Sequence, residues 1–383
     1  MSRMLGRRDA LISFASLVSA FGALGLGSGA VAACRREGVD PPDRGKILAE
    51  IVAVVIVPAY TEAALQAKAL DEAVAPLSDA PSAESLSAAR AAWKKARAAW
   101  KVTDGFLFGP ADDLALTGGV IDSAADVAKV EALVAGTAPL VAEDVAKLGA
   151  NQRGFGGLEV LLFDPSKDDA TILEAFQTNE RRRGALAKLL ASDLRTKIDA
   201  VLAAWTQGPT AYGDQLARAG RGSSVYTSER QGVDAVVNAL IAAAEVLIAV
   251  RLAKPLGIDK TPAVPAPALI ESPRSDASIE DILAVLDGIE MVYFGRRGDA
   301  AGLPLADAVA ERSPSTDTRM RSDLAKAKEA VRAIPGPLRT AVVERRDSVV
   351  AAHAAVREVK RCLTSEVAGA LGTSVGFNVT DGD

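Results

Sequence analysis

Histidine occurs once in this chain of 383 residues, at position 353. That single imidazole excludes any site built on two histidines, the His-Glu-x-x-His zinc helix among them. Cysteine occurs twice, as Cys34 and Cys362, too few for a disulfide scaffold. Aromatic residues make up only 4%, and no Arg/Lys stripe with interleaved aromatics is present. With a formal net charge of -5, the chain offers no basic surface for nucleic acid. A P-loop is missing as well.

What is present is apolar and helix-forming. Apolar residues reach 49%, enough for a large core. Alanine dominates, and Ala, Leu, Glu, Lys and Arg are strong helix formers. An all-α protein follows, and the length suggests two domains.

The first residues read as an export signal. Arg7 and Arg8 form a short basic start, and from Ala10 to Ala33 no residue is charged. The run ends Val31-Ala32-Ala33-Cys34, which resembles a bacterial lipobox. There the small residues admit the peptidase and the cysteine takes lipid as the new N-terminus. An uncleaved membrane-spanning helix is the competing reading, since about 20 apolar residues span a bilayer. Gly22, Gly25, Gly27 and Gly29 weaken such a helix. Arg7-Arg8 also loosely resembles a twin-arginine signal. The expectation is a signal peptide over 1–33, lipidation at Cys34, and a polar tether over 34–45 stiffened by Pro41-Pro42. The mature protein would face the periplasm or cell exterior, held to the membrane by its lipid.

Beyond the tether, Lys46 to Leu77 is helical by its apolar period, with an interruption at Pro58. Ser82 is placed to cap a helix running to Val102, with Glu84 and Ser85 in its first turn. Trp93 and Trp100, seven apart, share its buried face. Asp104 to Pro110 breaks it. Short helices are expected over Asp122 to Val134 and Pro139 to Lys147, then Gly154 to Phe163. A long one follows over Asp169 to Trp205, with a possible break near Thr178. The run Glu180-Arg181-Arg182-Arg183 reads as a solvated face. Another helix covers Ser228 to Leu252, before the stop signal Lys254-Pro255-Leu256-Gly257. Pro262, Pro265, Pro267 and Pro273 cannot sit inside a helix. They mark 258–274 as a linker between a bundle over 46–257 and a second over 275–383. Ser278 to Tyr293, Thr316 to Ala333 and Arg339 to Leu371 are the helical stretches of the second.

Four segments in order resemble the imelysin family of bacterial envelope proteins. They are Trp93 to Pro110, Gly154-Phe155-Gly156-Gly157-Leu158-Glu159-Val160-Leu161-Leu162-Phe163, Glu271-Ser272-Pro273-Arg274-Ser275 on to Tyr293-Phe294-Gly295, and Gly376-Phe377-Asn378-Val379-Thr380-Asp381-Gly382-Asp383. The resemblance implies two packed helical bundles with a pocket between them near Trp93, Asp104, Phe108, Glu159, Ser272 and Tyr293. It implies iron-uptake components as partners and a divalent or ferric ion as cofactor. Some relatives are described as metallopeptidases and others as polysaccharide-binding.

The family signature is Gly-x-His-x-x-Glu, whose His and Glu share one helical face and could hold a metal. Here Gly156 stands at the His position while Glu159 remains. Two glycines in a helix cost about 1 kcal/mol each against alanine. Either the helix starts just after them or another backbone comes close. Asp104 matches the family's Glu in the first motif, one methylene shorter. Asp104 and Glu159 together form the remaining candidate metal site, suited to a hard cation. The plainer alternative is that Asp104 caps a turn and Glu159 makes a buried hydrogen bond or ion pair. His353, among alanines, reads as a packed or surface residue, and Cys362 carries no signature of a nucleophile. A non-enzymatic binding protein is therefore expected, with a metal-dependent peptidase as runner-up. Recognition of an acidic polysaccharide is third, with Arg274 and Arg296 as candidate contacts.

Overall fold

The computed structural model describes residues 43–113, 119–258 and 260–376. Their regular structure is helical except for one short antiparallel ribbon, Arg296–Arg297 with Ala300–Ala301.

The first helix, α1, covers Arg44–Asp79. Asp43 starts it by accepting from the Lys46 backbone N–H. Pro58 does not interrupt it, contrary to the sequence reading. A π turn over Ile51–Ile56 precedes the proline, and the helix runs on. Proline offers no N–H to the carbonyl one turn back, and its ring crowds that carbonyl. Widening the preceding turn by one residue accommodates both without ending the helix.

Helix α2, Ala83–Thr103, begins as expected at Ser82, whose side chain forms a capping box with Ser85. Its buried face carries Leu86, Ala89, Trp93, Ala96 and Trp100. Each large apolar side chain fully buried in this way contributes about 1.5–3 kcal/mol. Packing against α1 therefore outweighs intrinsic propensity in holding α2.

The stretch from Asp122 is helical only over Val127–Ala135, because Asp126 caps it by accepting from the Lys129 N–H. The chain before Asp126 instead crosses the start of α3, Gly154–Leu162, where the Phe155 N–H donates to the Ile121 carbonyl. Pro139 to Lys147 holds only one helical turn, Ala142–Val145. The break near Thr178 is real. Asn179, Glu180 and Arg181 take positive φ and separate Asp169–Gln177 from α4, Arg182–Thr206. Arg183 is not solvated. It is buried, donates to the Val160 and Leu161 carbonyls and pairs with Glu131. Those carbonyls end α3 without helical partners, so a cationic donor there is favourable.

Helix α5, Glu229–Leu256, ends through another π turn, Leu247–Ala253. After it come α6, Ser278–Phe294, α7, Pro314–Arg332, and α8, Arg346–Arg361. The stretch from Arg339 divides at Arg345, and α8 continues through a π turn to Leu371.

Helix α1 packs on α2 and α4, α3 on α4, and α7 on α8. Helix α6 lies against both α2 and α7, and α5 against α8 and the turn Asp104–Phe106. The segment 258–274 between α5 and α6 contains one 3-10 turn, Pro267–Leu269. Elements on both of its sides belong to one contact unit. At the crossing of α2 and α6 the backbones touch. A Cβ on Gly105 would lie 2.6 Å from the Ile289 nitrogen, and one on Gly288 would strike the Val102 carbonyl. Only glycine permits that approach.

Candidate functional site

One turn apart on α2, Arg97 and Lys101 flank the two tryptophans and are buried with them. Arg97 donates through Nε to Asp281 Oδ2 at 2.8 Å and through Nη1 to Asp122 Oδ1 at 2.8 Å. Its guanidinium lies over the rings of Trp93 and Phe155. Lys101 Nζ donates to Glu271 Oε1 at 2.7 Å, to Asp104 Oδ2 at 3.1 Å, and to Asp122. Arg251, from the π turn of α5, donates to Asp104 Oδ2 at 2.6 Å and pairs with Glu271. Ser272 Oγ donates to Asp281. Three cations and four carboxylates thus meet from α2, its following turn, the 119–126 segment, α5, 258–274 and α6.

Buried ions are tolerated only when each loses water to a good partner. Burial alone would raise the Asp122 pKa, but Arg97, Lys101 and Arg251 outweigh it and hold Asp122 far below the carboxylate range. At Glu271 burial also pushes upward, and Arg251 and Lys101 prevail to lower it. Burial and Arg251 oppose the charge on Lys101, yet its three carboxylates raise its pKa. At Asp281 burial wins and the pKa rises. The cluster's cations thereby stay charged, and none is a base near neutrality.

Beside the cluster lies a cavity of about 660 Å³. Asp104, Asp122, Arg251 and Glu271 form its polar end, and its walls are mostly aliphatic, with Trp100, Ala243, Val246 and Leu269 among them.

Of the six expected pocket residues, Asp104 is among those lining this cavity. Trp93 is a core residue whose indole N–H donates to the Phe155 carbonyl at 3.1 Å. Phe108 packs edge-on against Trp205 and Tyr212. Ser272 is one bond from the cluster through Asp281. Tyr293 is buried and donates to Asp317 at 3.2 Å; burial and that carboxylate raise its pKa. Glu159 Oε1 accepts from the Ser275 hydroxyl and N–H at 2.7 and 2.8 Å and from the Arg274 N–H at 3.1 Å. Burial raises its pKa despite these donors.

These residues do not fit a resident metal. Asp104 shares its oxygen with Lys101 and Arg251, and Glu159 is engaged by the 274–275 backbone. Among the described residues no three or more His, Cys, Asp and Glu are grouped to hold one. At the signature His position, a Cβ on Gly156 would strike the Ser123 carbonyl and lie 3.2 Å from the Ala125 nitrogen. Since α3 begins at Gly154, the close approach of another backbone, rather than a later helix start, explains this glycine.

His353 is buried on α8, with its pKa lowered by burial and by Arg357. Burial pushes the Cys362 thiol up to about 12, away from thiolate chemistry. Arg274 is tied to the Phe163 carbonyl and Asp164, while Arg296 lies over the Phe294 ring. Cys34 and the end of the fourth motif, 377–383, lie outside the described residues.

Arg97, Lys101, Asp122, Arg251, Glu271 and Asp281 were not anticipated as site residues. One signal was available: Arg97 and Lys101 sit beside the apolar stripe of an otherwise regular amphipathic helix.

The imelysin family model matches residues 56–364. The chain belongs to the imelysin family. It is 28% identical over 322 residues to "Iron-regulated protein A" of Synechococcus elongatus, covering 82% of this chain and 83% of that protein. A solved structure of a putative iron-regulated protein A precursor from Parabacteroides distasonis superposes with a TM-score of 0.73 at 21% identity, covering 88% and 96% of the two chains. An imelysin-like protein from Psychrobacter arcticum gives 0.69 at 19% identity, covering 87% and 97%. These two likenesses establish the imelysin-like helical fold.

Proposed function

We propose that this imelysin-family chain is an exported, lipid-anchored binding protein of the bacterial envelope that takes a small ligand into the cavity. On this reading it serves iron uptake and has no peptidase activity. The iron link is supported by the name of the Synechococcus relative, and the anchor by the residues ending at Cys34.

One observation carries the choice of binding over hydrolysis: the polar end of the cavity consists of charges that already neutralise one another. A metallopeptidase needs an ion with an open position for water, whose pKa the ion lowers. Catalytic zinc sites take three protein ligands, with nitrogen or sulfur among them. Here Lys101 stands among the carboxylates, and the backbone of Ser123 closes position 156.

The test is cleavage of unfolded protein substrates by the purified mature protein, with zinc, iron or calcium added, before and after chelation. No turnover is expected. Chelator-sensitive turnover that disappears in Glu159→Gln would overturn the binding reading in favour of the peptidase. Gly156→His should lose stability rather than gain metal affinity, because its Cβ has no room.

A further inference from the structure

The last described residues run along α5 in a fixed register. Arg230 Nη2 donates to Ser374 Oγ at 3.2 Å, and the Ser374 N–H donates to Asp234 Oδ1 at 3.3 Å. Asn238 holds the chain at two further points. Its Nδ2 donates to the Ser374 carbonyl at 2.9 Å, and its Oδ1 accepts from the Gly376 N–H at 3.0 Å. Arg230, Asp234 and Asn238 are four apart in sequence and form one row on the helix surface. Each step of such a row rises about 6 Å. Two residues of extended chain cover about 6.6 Å, so the segment from Ser374 to Gly376 advances in step with the row. Its direction is toward the C-terminal end of α5.

The same row continues as Ala242, Val246 and Val250, all of which line the cavity. Val246 and Val250 each keep 39% of their surface exposed, and Leu269, another lining residue, keeps 49%. Beyond Val250, α5 presents the exposed Lys254. Along α5 the surface is thus polar at 230–238, aliphatic at 242–250 and basic at Lys254. The chain from Ser374 has a matching order. It is hydrogen-bonded at Ser374 and Gly376, apolar at Phe377 and Val379, and acidic at Asp381 and Asp383. Residues 377–383 reach at most about 25 Å when extended. Lys254 lies about 24 Å beyond Asn238 along the helix.

We propose that residues 377–383 dock in extended form along this aliphatic row, with Phe377 and Val379 covering Ala242, Val246 and Leu269, and with Asp381 and Asp383 directed to Lys254. The exposed edge of the cavity is then closed by a segment of the same chain, which becomes one of its walls. At two residues per helical step, Asn378 falls beside Ala242 and Thr380 beside Val246. Aliphatic surface that α5 leaves in water is thereby buried. Because Gly376 is already held by Asn238, the docking is intramolecular and loses far less freedom than binding a separate peptide would. It needs no ligand and stands apart from the ligand-binding reading above.

The test uses the full mature chain with the photoreactive residue benzoylphenylalanine in place of Val379. After irradiation and digestion, adducts should fall within one chain on residues 242–250 or 268–270. Adding Val246→Asp, at an exposed position, should cut their yield several-fold. Adducts elsewhere, no adducts, or a yield unchanged by Val246→Asp would overturn the proposal. Adducts joining two chains would overturn it as well and make a second copy the occupant. A separate readout is anilinonaphthalene sulfonate, a dye that brightens on apolar surface. Phe377→Asp combined with Val379→Asp lies beyond the last helical turn, Ala368–Leu371, and leaves the core untouched. That variant should raise the dye's fluorescence several-fold over the wild type. Equal fluorescence would mean that this segment does not cover the aliphatic row.

Discussion

Glu159 is the residue at which motif and environment meet. Its carboxylate receives three hydrogen bonds from residues 274 and 275, and burial still raises its pKa above the ordinary value of 4.5. The folded protein therefore holds this proton more tightly than the unfolded chain. That contribution to stability is full below about pH 4.5 and is lost as pH rises through the folded value. Glutamine at 159 keeps an acceptor oxygen and cannot ionise. Glu159→Gln should consequently lose less stability than the wild type between pH 4.5 and 7. Urea unfolding at both pH values measures this, and equal losses would refute it. The sequence marked Glu159 through its signature but could not name its partners, which lie more than a hundred residues away. The same distance hid the ion cluster: Arg97 and Asp281 are 184 positions apart, and no local period records such a pair. Trp93 and Trp100 were legible as core because their spacing alone puts them on one helical face.

Helix identity and many of the ends were legible for the same local reason. Ser82 caps α2 and Ser228 caps α5 with their own side chains, interactions confined to one turn. The π turns were not, because a single extra residue hardly disturbs an apolar period spanning many turns. Nor was the contact between α2 and α6, which depends on two glycines distant in sequence. An alanine inside a helix ordinarily gains about 1 kcal/mol over glycine. At Gly288 that sign should reverse, since the new Cβ strikes the Val102 carbonyl, which is backbone and cannot swing aside. Overpacking of this kind costs about 1–3 kcal/mol. Gly369, in the last turn after α8, has open space around its Cβ position and serves as the control. Gly288→Ala should unfold at lower urea than the wild type and Gly369→Ala at equal or higher urea. A Gly288→Ala protein as stable as the wild type would mean that α2 and α6 do not approach as closely as described.

For the whole molecule, the proposed lipid anchor makes a prediction about its place in the cell. Two helices, Arg44–Asp79 and Glu229–Leu256, are long and apolar enough to cross a bilayer, yet half or more of each apolar window is buried inside the protein. They serve as core helices, so the lipid anchor proposed at Cys34 is the attachment to test. Between Cys34 and Arg44 there are about ten residues, which fully extended span at most about 35 Å. A lipidated Cys34 would hold the helical part close to the membrane surface without embedding it. One acyl chain binds only reversibly, whereas two or more give a stable anchor. The proposal therefore expects labelled fatty acid to appear on the wild-type protein. It also expects a precursor shortened at Cys34 and a product that stays with membranes after a high-salt wash. Cys34→Ala should carry no label. That variant should either leave membranes or persist as an uncut precursor held by the apolar run from Ala10 to Ala33. The two fates differ in mass, so one gel of the separated fractions distinguishes them. Unchanged processing together with unchanged membrane retention in Cys34→Ala would rule the lipid anchor out. A wild type retained uncut would instead support the uncleaved membrane-spanning helix.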